Sequence, residues 1–365
     1  MDRQGVRPNP GIVMFLPIIA LGCSIASVVK SIALTVPSAA TWPAARLTRD
    51  VSSIEGPLSI AWTRDQIYAR QDSAIVLSAA DGYLALAGSE DENTEESLFV
   101  METRSGRTLW SGAPGYTSTL LATGGALFAG TPGQLSAYSP DNGRVLWSSS
   151  LPASRSPREI YLVGDHLHVN TARQVFHLLD PASGGIIQTR EYGSGEEVFL
   201  IIDDTLYEQA PTLDTLRAVS VISSEVKWAT AVSEAFYSGP VLARDKMLIR
   251  TGIEQGRVAA VEQATGTLLW EWPEGTVVSN VSILNEWAGF LTIDGTLVLV
   301  DLASGEPRAA VTFSGGPFVA KDEGLHPFGY HVAADEVSQR LFILLGDSRQ
   351  LFALTVSTDS TAPIP

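Results

Sequence analysis

Residues 264–270 read ATGTLLW, residues 104–110 read RSGRTLW, and residues 141–147 read DNGRVLW. A glycine stands at the same distance before a tryptophan in each stretch, and further copies keep part of the pattern. The positions that share this spacing are Gly106/Trp110, Gly143/Trp147, Ser224/Trp228 and Gly266/Trp270, and the glycine alone remains at Gly184 and Gly305. Successive turn residues are separated by about 40 residues, which is the period of four-stranded β-propeller blades.

The segments around each turn have the pattern of short antiparallel strands. Runs such as RVAAVEQ at 257–263 and TLVLVDL at 296–302 precede the turns and alternate apolar with other residues. The glycine suits a tight turn between the third and fourth strands, because it adopts a positive φ without steric cost. The tryptophan falls on the fourth strand, where its ring can fill the wedge between blades. We therefore predict that these glycines and tryptophans are structural.

The ends of the repeat region suggest how the ring closes. A final partial unit at 339–356 lacks a fourth strand, and the stretch GPLSIAWTRDQIYA at 56–69 precedes the first complete unit. Pairing the two would remove exposed sheet edges that favour aggregation. The sequence thus predicts an all-β propeller of seven four-stranded antiparallel blades, or eight if residues 47–75 hold additional strands.

The N-terminus predicts the compartment. Residues 12–29, IVMFLPIIALGCSIASVV, carry no charge and follow Arg3 and Arg7. Three interpretations remain open: a single membrane-spanning helix, a lipoprotein signal in which IALGC makes Cys23 the lipidation candidate, and a signal peptide cleaved near Ala39 or Ala40. All three place residue 41 onward outside the cytoplasm, and the first two predict attachment to a cell membrane by a single span or by a lipid.

The predicted domain organisation follows from these segments. It comprises a signal-anchor or lipoprotein-type segment at 1–36, a linker at 37–54, the propeller at 55–358, and a disordered tail at 359–365.

Composition excludes several classes of function. The chain has 40 acidic and 24 basic residues, a net charge of −16, which disfavours binding to nucleic acid. Its one cysteine lies in the N-terminal segment, so the propeller has no disulfide, thiolate metal site or cysteine nucleophile. No residue is assigned a catalytic, cofactor-binding or metal-binding role.

Three stretches deserve a functional test. The acidic stretch 89–97 has part of the spacing of a calcium loop, and we interpret it as a solvated insertion. His166 and His168 would share one face of a strand, and no third metal ligand is evident. The segment 322–331, DEGLHPFGYH, groups aromatic residues with histidines and is the predicted binding loop, with His326, Phe328, Tyr330 and His331 as its candidate residues.

The recurring D-x-x-x-G-x-x-L-W pattern resembles the repeat of the quinoprotein-type (PQQ-like) β-propeller family. That family includes dehydrogenases that bind pyrroloquinoline quinone with calcium, and non-catalytic members such as the lipoprotein scaffold of the outer-membrane β-barrel assembly machine. The alcohol dehydrogenases typically place a disulfide of adjacent cysteines over the cofactor, which this chain cannot form, and no positions match their calcium and base motifs. The resemblance therefore implies the scaffold branch, without a cofactor.

The sequence as a whole predicts a non-catalytic binding module that is tethered to the membrane and contacts other envelope proteins. The alternatives are a quinone-dependent dehydrogenase-like enzyme and an extracellular ligand- or glycan-binding domain. The sensor domain of a receptor is a further class, but no signalling domain follows the repeats.

Overall fold

The computed structural model describes residues 48–65, 67–69, 77–89, 97–112, 117–123, 125–151, 156–171, 175–191, 197–210, 212, 214–232, 239–252, 256–272, 275–315, 317–318 and 330–357. Cys23, the apolar segment 12–29 and the predicted tail 359–365 lie outside them. Among the residues within these ranges, no helix has the length and apolar character needed to cross a membrane.

The described chain forms seven antiparallel sheets that are the blades of a propeller ring. Blade 1 contains β3 (Tyr68–Ala69) and β4 (Leu77–Ala80), which together make its first strand, then β5 (Tyr83–Ser89), β6 (Ser97–Glu102) and β7 (Thr108–Gly112). Blade 2 contains β8 (Thr119–Ala122), β9 (Leu127–Thr131), β10 (Gln134–Tyr138) and β11 (Val145–Ser150). Blade 3 contains β12 (Pro157–Val163), β13 (His166–Thr171), β14 (Val175–Leu179) and β15 (Ile186–Glu191).

The second half of the ring repeats this order. Blade 4 contains β16 (Glu197–Ile202), β17 (Thr205–Gln209), β18 (Thr215–Ser220) and β19 (Val226–Ala231). Blade 5 contains β20 (Val241–Ala243), β21 (Lys246–Thr251), β22 (Arg257–Glu262) and β23 (Leu268–Glu271). Blade 6 contains β24 (Ser282–Leu284), β25 (Trp287–Thr292), β26 (Thr296–Asp301) and β27 (Pro307–Phe313). Blade 7 contains β28 (Tyr330–Asp335), β29 (Arg340–Leu345), β30 (Gln350–Val356) and, from the start of the chain, β2 (Leu58–Asp65).

The predicted seven-bladed fold and its closure are confirmed. The N-terminal strand β2 pairs with the C-terminal strand β30 along their whole length, from Leu58↔Val356 to Asp65↔Gln350. Blade 7 thus takes its outermost strand from the beginning of the chain and its other three from the end.

One strand lies outside the predicted repeat. The strand β1 (Val51–Glu55) pairs antiparallel with β27 and adds a fifth strand to the outer edge of blade 6. Its side chains are mostly exposed, so its backbone hydrogen bonds hold it in place more than burial does. The ordered ring therefore begins before residue 55, inside the segment that the sequence marks as a linker.

Strand direction divides the ring into two faces. The turns between first and second strands and between third and fourth strands share one end, which we name the turn face. The connections between second and third strands and between successive blades leave at the opposite end, the loop face. The strands that flank residues 90–96, 152–155, 192–196 and 319–329 all end at the loop face.

Burial follows from the stacking of blades around the ring. The middle strands are covered by a sheet on either side, so β6 and β29 are buried along almost their whole length. The outer strands β11 and β19 alternate between exposed and half-buried residues, because only one edge and part of each face are covered. The first strands of neighbouring blades contact one another around the axis.

Candidate functional site

Indole groups join the blades at the outer part of the ring. In five blades, a fourth-strand tryptophan donates its Nε1–H to a backbone carbonyl of the third-to-fourth turn in the next blade. These bonds are Trp62 to Thr103 (3.0 Å), Trp110 to Pro140 (2.7 Å), Trp147 to Pro181 (2.9 Å), Trp228 to Gln263 (3.2 Å) and Trp270 to Leu302 (3.1 Å). Each bond satisfies a half-buried or buried donor across a blade boundary.

The turn glycines receive the indole rings. Each has a positive φ, and a Cβ atom built on it would lie 2.3–2.9 Å from a ring atom of the tryptophan in the preceding blade. The pairs are Gly106 with Trp62, Gly143 with Trp110, Gly184 with Trp147, Gly266 with Trp228, and Gly305 with Trp270. Glycine is therefore required twice, for the turn and for the close approach of the ring.

Two boundaries lack the indole. After blade 3 the tryptophan position holds Gln188 and the facing turn residue is Ser224, with φ 60°. After blade 6 it holds Ala309, whose Cβ faces Gly56. At the boundary after blade 3 no indole ring has to be accommodated, and the facing turn residue there is Ser224, which has a side chain.

The boundary between blades 3 and 4 is joined by polar groups nearer the axis. The Asn170 side-chain amide donates to the Phe199 carbonyl at 2.6 Å, and the Ile201 amide donates to Nδ1 of His168 at 3.4 Å. Burial, and then the nearby His166, lower the pKa of His168 to about 4, so its ring is neutral at pH 7 and can accept. His166 is exposed on the turn face, so the two histidines have different environments.

A buried arginine fixes the start of the ring at the loop face. Arg49 is 1% exposed, and its guanidinium donates to the Asp347 carboxylate at 2.6 and 2.9 Å and to the Ser314 carbonyl at 2.9 Å. It also lies 4.6 Å from the ring centroid of Phe318. The N-terminal segment is thereby attached to blades 6 and 7 at once.

The predicted binding loop is divided by the structure. Tyr330 and His331 begin β28 and are buried, and the Tyr330 hydroxyl donates to Asp347 at 2.8 Å. Burial, and then the guanidinium of Arg250, lower the pKa of His331 to about 4. His326 and Phe328 lie in the part of the segment that the structure does not describe. The two described side chains thus belong to the strand that follows the loop.

Polar groups also line the inner side of blades 3 to 5. The Glu159 carboxylate on β12 accepts from the Tyr161 hydroxyl at 3.2 Å and from Asn170 at 3.3 Å, and the amide of Gly239 donates to it from the entry to blade 5. The bond from Gly239 joins blades 3 and 5, which are not neighbours. Within the ranges given above, no group of three or more His, Cys, Asp or Glu residues is placed to hold a metal ion.

Sequence reasoning missed Trp62, Gly56 and Arg49. Trp62 has no turn glycine before it, because its strand comes from the other end of the chain. The repeat spacing gives only a weak signal, because Trp62 lies 44 residues before Gly106 whereas Trp110 lies 33 residues before the next turn glycine, Gly143. Arg49 stands in a segment without periodicity, and no pattern marks it.

Comparison with known proteins gives a family. No curated protein sequence matches this chain. Among solved structures, BamB from Moraxella catarrhalis is similar, with 15% sequence identity and a TM-score of 0.46 over 82% of this chain and 99% of that one. The family model described as outer membrane protein assembly factor BamB matches residues 59–177 and 173–326. Since this match spans more than half of the sequence, the chain belongs to that family of PQQ-like repeat propellers.

Proposed function

We propose that this chain is a non-catalytic, membrane-tethered scaffold outside the cytoplasm, and that it binds other envelope proteins through its loop face. The observation that carries the proposal is the family match over residues 59–326, since the family is described by a role in assembling outer membrane proteins.

The architecture supports a scaffold. The ring is closed by its own N-terminal strand and joined by indole bonds between blades, so its rigidity does not depend on the connections at the loop face. Connections on a rigid framework can vary in sequence and carry recognition. The strands that flank four of these connections end on this one face, where a partner could contact several connections together.

The absence of catalysis is proposed from the sequence. Cys23 is the only cysteine, so a disulfide of adjacent cysteines like that of the quinone-dependent alcohol dehydrogenases cannot form. Binding of pyrroloquinoline quinone with calcium by the purified full-length protein, at a stoichiometry near one, would refute this part of the proposal.

Crosslinking in cells tests the scaffold role. A photoreactive amino acid placed at exposed Thr212 or Asp294 samples the loop face, and one at exposed Ala264 samples the turn face of blade 5 as a matched control. We expect reproducible adducts with one or a few identified envelope proteins from the two loop-face positions, and none of these from Ala264. Equal labelling from all three positions, or no discrete adduct from any, would contradict the proposal.

The tether is tested separately. Protease added to intact spheroplasts should digest the propeller if it lies outside the cytoplasmic membrane. Metabolic labelling with a fatty acid distinguishes the two anchored forms, because a Cys23→Ser variant loses the label only if Cys23 is lipidated. Complete digestion resistance until the membrane is dissolved would refute the proposed location.

A further inference from the structure

A cavity of about 390 Å³ opens on the turn face, where blades 7, 1 and 2 meet. It lies on the opposite face from the proposed loop-face contacts. Two turns of blade 1 form part of its walls, the one between the first and second strands and the one between the third and fourth strands. The remaining wall comes from the turn between the first and second strands of blade 7 and from the turn between the third and fourth strands of blade 2.

The cavity is predominantly acidic. Asp81, Glu102 and Asp141 line it, with Arg104 as the cation in the lining. Asp141 accepts from the Tyr83 hydroxyl at 2.5 Å, and Glu102 accepts from the Ser105 hydroxyl at 2.5 Å, so both carboxylates are held in position. Asp81 is exposed and makes no hydrogen bond or ion pair with any residue that the structure describes.

A buried hydroxyl without a partner adds an independent observation. Thr103 lines the cavity and is 0% exposed, and its Oγ1 has no hydrogen-bond partner among the described residues. Its backbone, in contrast, is fully engaged, since the carbonyl accepts from Trp62 at 3.0 Å and from Arg340 at 2.6 Å. An unsatisfied buried hydroxyl is costly unless another group completes it.

Apolar surface lies beside the carboxylates. Val337 is 58% exposed at the rim, and the half-buried Leu109 forms part of the wall. A ligand that combines an aliphatic stem with a cationic end matches this combination, because lysine and arginine pack their methylene groups on apolar surface and keep the charge in a polar environment. A bare metal ion matches it less well, since no group of metal ligands is formed within the described ranges.

We propose that this cavity binds a lysine or arginine side chain presented by a partner protein. The inference rests on the proposed scaffold function and gives it a second contact on the turn face. The cation would pair with Asp81 and the neighbouring carboxylates, and the aliphatic stem would contact Leu109 and Val337.

Binding of small basic probes to the full-length protein tests the assignment. Acetyl-lysine amide and acetyl-arginine amide are the probes, acetyl-norleucine amide and acetyl-glutamate amide are the controls, and saturation-transfer NMR reports binding. Asp81→Asn is compared with Asp203→Asn, an equivalent turn position in blade 4. Asp81 and Asp203 have φ values of 49° and 52°, and asparagine tolerates that region, so both variants should fold.

We expect the basic probes to bind in preference to both controls. Asp81→Asn should weaken them about threefold to fivefold, as for a partly exposed ion pair, and Asp203→Asn should leave them unchanged. Thr103→Val, which keeps the shape and removes the hydroxyl, should also weaken the probes without lowering the thermal midpoint.

Three results would overturn the assignment: equal binding of acidic or neutral probes, identical effects of the two aspartate variants, or binding of calcium at Asp81 that displaces the basic probes. If loop-face adducts form in cells while basic probes fail to bind, the cavity assignment is refuted and the scaffold stands. If the probes bind but no adducts form from any position, the scaffold is refuted and the cavity remains a site for cationic side chains.

Discussion

The contact between Gly184 and the Trp147 ring should be measurable as a coupling energy. An alanine Cβ at residue 184 would lie 2.3 Å from Cε3 of Trp147, whereas carbon atoms in contact are separated by about 3.5–4.0 Å. Gly184→Ala therefore imposes two costs, a left-handed backbone at φ 71° and displacement of the indole. The first is about 1 kcal/mol and the second about 1–3 kcal/mol.

A glycine in the same blade separates these two costs. Gly164 has φ 57°, and a Cβ there meets no atom within 4 Å. Gly164→Ala should thus lower the free energy of unfolding by about 1 kcal/mol, against about 2–4 kcal/mol for Gly184→Ala. Urea unfolding of the full-length protein in detergent, followed by far-ultraviolet circular dichroism, measures both values.

Removal of the ring completes the double-mutant cycle. Trp147→Ala alone should cost about 3 kcal/mol, because the half-buried ring and its bond to Pro181 are lost. In that background Gly184→Ala should cost only about 1 kcal/mol, which gives a coupling of about 1–3 kcal/mol. An equal cost of Gly184→Ala with and without the indole would refute the reasoning, and would mean that the turn alone requires glycine.

Three further outcomes follow from the structure. Burial holds the pKa of His168 at about 4, below the ordinary value of 6.5, so the stability contributed by its neutral ring is fully present above pH 6.5 and is lost as the pH falls towards 4. His168→Gln should therefore make the urea midpoint depend less steeply on pH between pH 4 and 7. Arg49→Ala leaves Asp347, whose side chain is 13% exposed, without its cation and should cost about 3 kcal/mol, with amide exchange accelerated first in β1 and β2; equal acceleration in all blades would show that Arg49 does not act locally. Ser224→Gly should raise the free energy of unfolding by about 1 kcal/mol, because the strain at φ 60° is relieved and Gln188 provides no ring to stack on it; a lower free energy of unfolding would show that the serine side chain contributes a contact.

The sequence predicts the repeated part of this fold because each unit contains its own turn and strand signals. A glycine turn and the alternating strands before it lie within one blade, so Gly143 and Trp147 can be understood from neighbouring residues alone. Closure by β2 was also predictable, since a partial unit at one end and a spare strand at the other complete a single blade.

What the sequence does not reveal depends on contacts between distant residues. The reason for glycine at 106 lies in Trp62, and the burial of Arg49 depends on Asp347 at the far end of the chain. The segment around Tyr330 contains proline and glycine, which favour a loop, and only pairing with β29 shows that a strand begins there. Such pairings have no local period that a single sequence can display.

The closure of blade 7 has a consequence for how the protein is made. The strand β2 is among the first parts of the propeller to be synthesised, and its partner β30 is the last. Until residue 350 and those after it are available, β2 has no partner, and the outer edge of the unfinished ring stays open. Pairings between the two ends of a chain form slowly because a long loop must be closed first. In a growing chain of this protein the N-terminal strand therefore lacks its pairing partner until the end of the propeller is synthesised, and loss of the last strand should prevent assembly of the first.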